Sequence, residues 1–345
     1  MAQSPSIWED ILERYESCPN VDSEYFETAK QFCLRRIKEN TEPFVDHFPS
    51  ASSEDLSYEA SALEGWTPAF WSGILWLAYE TTDENVYRSV AESQLPKFAN
   101  RLETADVISH DLGFLYTLSA IASSMLTDNS ASEQMALDAA DRLTERYWPD
   151  PGIIQAWGDP EDPDATDWGE WAHGRIIADT MMNLPLLFMA SIETGDDQYH
   201  EIATNHAENA ARYLVRDDGS TFHTYKFDVT TGTPLGGETF QGFADDSCWS
   251  RGQAWVFYGF ALAAGIPTRR HSCRQPSTSR ISILNTFPRI TFRDGTFAHQ
   301  KRTMSGTVPP PQSQRVDCSN FPPTSMSEPL SGPCMKAPQK QHSNR

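Results

Sequence analysis

Two aspartates stand where a carboxylate is costly to place. Asp179 lies in GRIIADTMMNLPLL, residues 174–187, where almost every other side chain is apolar or small. The stretch reads as a buried helix, and a charge inside one is expensive to desolvate unless something compensates it. Arg175 stands four residues earlier, the spacing of an i,i+4 ion pair. Spacing alone divides Asp179 evenly between that pairing and chemistry. Asp111 follows His110 in SHDLGFLY and opens another apolar helix. A carboxylate there commonly caps free amides and complements the helix dipole, and position alone favours that role. If the two carboxylates share one pocket, burial and like charge raise one pKa, and that acid can donate a proton near neutral pH.

The segment HTYKFDVTTGTPLGGETFQGFADDSCWSRGQAW, residues 223–255, is dense in Trp, Arg, Gln and His. Trp249, Arg251 and Trp255 begin a further apolar helix. Aromatic faces stack on sugar rings, and an Arg fork grips a carboxylate. Trp255 sits at an interior helix position, which slightly favours ordinary packing between helices. In EGWTPAFWSGILW, Trp71 and Trp76 read as core, while Trp66 in the approach loop is free to touch a ligand. DPEDPDATDWGEWAHG, residues 159–174, lacks regular calcium-loop spacing and reads as a solvated acidic loop near the mouth. The phosphate-loop, dinucleotide, HExxH zinc and serine-elbow motifs are missing.

The elements that must position these residues repeat. An apolar helix, a short polar turn and an amphipathic helix recur in WSGILWLAYE-TTDEN-VYRSVAESQLPKFANRL, GFLYTLSAIASSML-TDNSAS-EQMALDAADRLTERY and NLPLLFMASIE-TGDDQ-YHEIATNHAENAARYL. The turns carry Thr, Asp and Asn suited to capping the second helix. Apolar helices paired with half-polar ones predict an inner layer wrapped by an outer one, an all-α helical toroid. Inner helices are expected near 70–80, 111–126, 174–193 and 250–264. The polar residues at their starts then line one mouth.

The 345 residues carry a formal charge of −21, which disfavours a nucleic-acid groove. Residues 1–266 hold 15 Lys and Arg against 45 Asp and Glu, whereas residues 267–345 hold 12 against 3 and 11 of the 23 prolines. This divides the chain into a 1–266 helical domain and a 267–345 basic, Pro/Ser-rich tail, read as disordered or as an artefact of the gene model. The N-terminus does not read as a signal peptide, no apolar run is long enough for a membrane span, and six scattered cysteines read as free thiols. A cytoplasmic protein without an obligate protein partner is the expectation.

EGWTPAFWSGILWLAYE, HDLGFLYTLSA, GIIQAWGDP, GRIIADTMMNLPLL, FHTYKFD and DDSCWSRGQAW together resemble the unsaturated glucuronyl hydrolases, glycoside hydrolase family 88. The resemblance is strong over residues 60–264. It implies an (α/α)6 barrel, no cofactor and no metal. The implied reaction removes a 4,5-unsaturated uronic acid from the non-reducing end of lyase-generated di- or oligosaccharides by hydrating the C4=C5 bond. Matched residue by residue, Asp179 takes the acid/base position and Asp111 that of the second carboxylate. His223, Gln241, Trp249 and Arg251 match the surrounding pocket and Trp66 an aromatic at its mouth; Trp255 joins them as a candidate. A six-hairpin ring needs six inner helices and four are visible, so the barrel reads as incomplete, with exposed apolar inner faces and weak activity expected. The alternatives are an unsaturated rhamnogalacturonyl hydrolase of family 105 and an inactive α/α module that binds carbohydrate or a partner.

Overall fold

The computed structural model describes residues 23–104 and 109–265, all within one compact unit, Met1–Asp294. The expectations for residues 267–345 lie outside the described residues.

Three inner–outer hairpins and a fourth inner helix form the framework. Inner helices Ala69–Thr82 and Leu184–Thr194 precede outer helices Asn85–Glu103 and Asp197–Tyr213. Between them, inner residues 112–127 precede outer helix Ser130–Thr144, and Ser250–Gly265 is the fourth inner helix. Each outer helix buries one stripe. In Asn85–Glu103 the stripe is Tyr87, Val90, Ala91, Gln94, Leu95, Phe98 and Leu102, the spacing of one helical face. Two of the three turns carry the capping chemistry expected of them, whereas Glu84, ahead of Asn85–Glu103, makes no side-chain capping bond. Asn129 Oδ1 accepts from the Ala131 and Ser132 amides, and Asp196 accepts from Gln198. The three inner helices end on left-handed residues, Asp83, Asp128 and Gly195, whose amides donate back into the last turn. Leu77 and Met125, both on inner helices, are 62% and 67% exposed.

The expected continuous helix over 174–193 is the main correction. Arg175–Ile177 is a strand, Ala178–Met182 is a 3-10 turn, and the helix starts only at Leu184. Pro185 explains the late start. It suits the first turn of a helix, where its missing N–H costs nothing, and would break a helix running through it. The β-branched Ile176 and Ile177 pair instead with Tyr225 and Thr224 in an antiparallel sheet that continues to Pro234–Glu238. The second inner helix is also irregular, with a π-helical segment at Thr117–Ile121. A helix at Ser23–Asn40, with none of its residues buried, was not foreseen.

Close approach between inner elements depends on two glycines. A Cβ on Gly113 would lie 2.2 Å from Asn183 Cα, and one on Gly259 would lie 2.5 Å from Met181 Cβ. Asn183 accepts the Phe114 amide at 2.9 Å and donates to Asp179 O at 3.3 Å, so the Gly113 contact fixes the turn that carries Asp179. Gly113→Ala is expected to destabilise the fold by about 2 kcal/mol or more, since neither backbone can yield. A melting temperature equal to wild type would show that the helices can separate without cost.

Candidate active site

Site residues come from the starts of all four inner helices and from the approaches to them. Asp111 immediately precedes Leu112–Tyr116, Asp179 sits in the 3-10 turn before Leu184–Thr194, and Arg251 lies in the first turn of Ser250–Gly265. Trp66 lies just before Ala69–Thr82. Its ring is 4.9 Å from Phe114 and 6.3 Å from Trp255, and Phe114 and Trp255 are 5.5 Å apart. The Arg251 guanidinium lies over Trp249 at 4.5 Å and Trp66 at 5.7 Å and donates to Gln241 Oε1 at 2.7 Å. Trp249 in turn sits 4.3 Å from the His223 ring. The eight residues singled out in the sequence therefore gather in one place. Trp255 packs in the aromatic cluster, and its buried Nε1 makes no hydrogen bond.

The ion pair weighed for Asp179 does not form. Arg175 is 1% exposed, yet its guanidinium turns to the sheet and not to Asp179. It donates to Trp171 O, to Thr224 Oγ1 and to Glu238 at 3.0 Å, and stacks over the Trp171 ring at 4.2 Å. A strand sends residues 175 and 179 in different directions where a helix would have stacked them. Asp111 likewise departs from the capping role that position favoured. It makes no capping hydrogen bond; its Oδ2 instead accepts the Ser109 hydroxyl at 2.6 Å.

Both carboxylates are freed from structural duties and electrostatically coupled. Burial first, and then the nearby charge of Asp111, push Asp179 up to about 7, against a smaller opposing pull from Arg251. Asp179 Oδ2 is buried without a hydrogen-bond partner. Burial also raises Asp111, while Ser109, Arg146 and Arg101 favour its ionised form. His223 accepts the Phe240 and Gln241 amides on Nδ1, which leaves its proton on Nε2. Burial, then Arg251 and Arg175, hold it down to about 4, so it is neutral at working pH.

A second aromatic wall was not read from the sequence. Trp157 stacks on Trp168 at 5.2 Å and on Trp171 at 5.5 Å, and Phe240 tilts against all three. The acidic loop is thus not simply solvated. Glu161, Asp162, Asp164 and Asp167 are exposed, but the same loop folds Trp168 and Trp171 onto Trp157, 6.2 Å from His223. The three-residue spacing in DWGEW was the available signal; its meaning needed Trp157, which is held in a bridge with Ser109. Among the described residues no cluster of three or more His, Cys, Asp or Glu is arranged to hold a metal.

Chemically, the arrangement is a buried acid raised to about 7 beside a second buried carboxyl group, with a cation and aromatic faces around them. An all-α toroid with such a pocket at the starts of its inner helices is the framework of a six-hairpin glycosidase. The model for Glycosyl Hydrolase Family 88 matches residues 36–278, and the chain belongs to that family. The unsaturated chondroitin disaccharide hydrolase of Streptococcus pneumoniae (strain ATCC BAA-255 / R6) is 39% identical over 251 residues, covering 72% of this chain and 61% of the relative. The unsaturated glucuronyl hydrolase of Bacillus sp. (strain GL1) is 45% identical over 224 residues, covering 65% and 58%. A crystal structure of unsaturated glucuronyl hydrolase from Streptococcus agalactiae superposes with a TM-score of 0.68 at 36% identity, over 73% of this chain and 62% of that one. The fold is that of the (α/α)6 barrel. The chain spans about three-fifths of the length of the curated relatives it matches.

Proposed function

We propose that the chain hydrates the C4=C5 bond of a 4,5-unsaturated uronic acid at the non-reducing end of an oligosaccharide. The observation that carries this is Asp179, a buried acid still protonated to about 7, with an unpartnered oxygen and a second carboxyl group, Asp111, acting on it. Asp179 gives its proton to C4, and the electron pair of the double bond forms the new C–H bond. Positive charge develops at C5 and the ring oxygen, beside Asp111. Water then adds at C5 and returns a proton to the Asp179 carboxylate. The hemiketal opens at the ring oxygen, C1 collapses to an aldehyde, and the remaining sugar leaves as an alcohol. No bond at the anomeric carbon is attacked, so the spacing rule for paired glycosidase carboxylates does not apply. Arg251 and the Nε2–H of His223 provide donors for the uronate carboxylate, and Trp66, Trp249 and Trp255 provide stacking faces.

The names of the relatives put lyase products of chondroitin and related glycosaminoglycans first among substrates to test. No described helix is long and apolar enough to cross a membrane. The free thiols of Cys33 and Cys248 support a cytoplasmic site of polysaccharide breakdown. Incubation of the full chain with an unsaturated chondroitin disaccharide in deuterium oxide is expected to remove the alkene absorbance and place one deuterium at C4. Cleavage that leaves the alkene intact overturns the mechanism. Turnover confined to pectin-derived disaccharides favours the rhamnogalacturonyl alternative, and saccharide binding by a folded chain without turnover favours the non-catalytic module.

The Trp157–Trp168–Trp171 wall is assigned to the sugar beyond the uronate. Trp168 contacts only Trp157, Trp171 and Phe240 among the ring pairs, so its removal leaves the Arg175 stack in place. Trp168→Ala is expected to raise KM roughly 3- to 10-fold, the loss of one stacking contact of about 0.5–1.5 kcal/mol, with kcat little changed. An unchanged KM on substrates of two or more sugars would remove the wall from the binding surface.

A further inference from the structure

Behind the two carboxylates lies a buried residue that the proposed chemistry does not use. His110 is fully buried, and it touches three segments at once. Its amide donates to Ala156 O at 2.9 Å, its Nδ1 lies 2.7 Å from Thr180 Oγ1, and its Nε2 lies 3.6 Å from Asp111 Oδ1. Each contact adjoins a pocket residue in sequence. Ala156 precedes Trp157, Thr180 follows Asp179, and Asp111 follows His110 itself.

The ring is uncharged. Burial is the main cause, and the Arg146 guanidinium and His206 add to it. Arg146 is held by Gln155 O and Gly158 O, and His206 accepts the Ile154 amide on Nδ1, so both face His110 from fixed positions. A neutral imidazole has a single N–H. A nitrogen lone pair facing an ionised carboxylate oxygen is repelled, whereas an N–H is attracted. With Asp111 ionised, the proton is held on Nε2 and Nδ1 accepts the Thr180 hydroxyl. At 3.6 Å the Nε2–H is a dipole directed at a charge and not a full hydrogen bond.

We propose that His110 is a positioning residue, whose Nε2–H favours the ionised form of Asp111 and whose bond to Thr180 ties that carboxylate to the turn bearing Asp179. The inference rests on Asp111 and Asp179 being the reacting pair. An ionised Asp111 is what keeps the shared proton on Asp179; if Asp111 loses its donor, the proton redistributes toward it. The other groups facing Asp111 are Ser109, Arg146 and Arg101, and those facing Asp179 are Asp111 and Arg251.

The test is a carboxyl-carbon NMR titration of the full chain labelled at aspartate, with folding followed by circular dichroism. His110→Gln keeps an amide donor near the Nε2 position, while His110→Asn keeps only the contact on the Thr180 side. In the wild type, Asp111 is expected to titrate below Asp179. His110→Asn is expected to narrow that gap by about 1 pH unit, a tenfold change in proton partition, and His110→Gln to restore it. An unchanged gap in His110→Asn, or equal narrowing in both variants, overturns the inference. The titration reads the pair whether or not the chain turns over substrate. A narrowed gap in an inactive chain supports the positioning role while the hydration reading fails, and lost turnover with an unchanged gap refutes the positioning role alone.

Discussion

Asp179→Asn is expected to remove activity while making the protein more stable. General acid catalysis contributes about 10²- to 10⁴-fold, and the amide has no proton of suitable acidity to give, so kcat should fall by that factor or more. The gain in stability comes from the same burial that makes the acid useful. The folded chain keeps the Asp179 proton up to about pH 7, whereas an unfolded aspartate releases it near the ordinary value of about 4. Between those values stability from this group falls as pH rises, and above 7 the whole cost of a buried carboxylate is present. That displacement corresponds to about 2–4 kcal/mol once its coupling to Asp111 is allowed for. The variant should therefore melt higher than wild type at pH 8 and equal to it near pH 4. A variant that melts lower at pH 8 would mean that the charge is compensated in the fold. Activity of the wild type should decline above about pH 7, as the acid form is lost.

Arg175 gives the opposite pattern, a loss of stability with the chemistry of Asp179 untouched. Its buried guanidinium makes two hydrogen bonds across the sheet and one to Trp171 O, and stacks on the Trp171 ring; Glu238 loses its ion pair when it is removed. Arg175→Ala is expected to cost about 3–5 kcal/mol, in the range for emptying the volume of a large buried side chain; Glu238, nearly half exposed, adds little. Arg175→Lys should recover little, because an ammonium cannot reproduce the planar fork or the stack. For a domain of this size the alanine variant should melt roughly 6–20 °C lower, at about 2–4 °C per kcal/mol. Below the melting range the Asp179 titration should stay where it is, since Asp111 and Arg251 are the charged groups acting on it. A rise in the Asp179 midpoint on removing Arg175 would restore the ion pair suggested by their spacing.

The layers of the fold were legible because hairpin periodicity and turn chemistry are local. An Asn129 or Asp196 cap, or a Tyr87–Leu102 stripe, is specified within a few residues of itself. The irregular pieces were not. Pro185 and the paired isoleucines are visible in the sequence, yet the strand Arg175–Ile177 exists only because Thr224–Phe227 arrives to pair with it. The same holds for the Trp157 wall, whose three tryptophans come from two segments and close against Phe240 from a third.

By itself the sequence determined that an apolar inner layer is wrapped by a half-polar outer one, and that acid, cation and aromatic groups stand at the starts of the inner helices. It also placed both aspartates among the candidates. It did not decide what each carboxylate was for, because an i,i+4 spacing and a helix-start position are each compatible with a structural role. Tertiary structure removed both structural roles. The strand carries Arg175 away to Glu238, Ser109 takes Asp111 away from capping, and burial beside Asp111 leaves Asp179 holding a proton near neutral pH. Desolvation and charge proximity are properties of three-dimensional neighbourhood, and no spacing along the chain contains them.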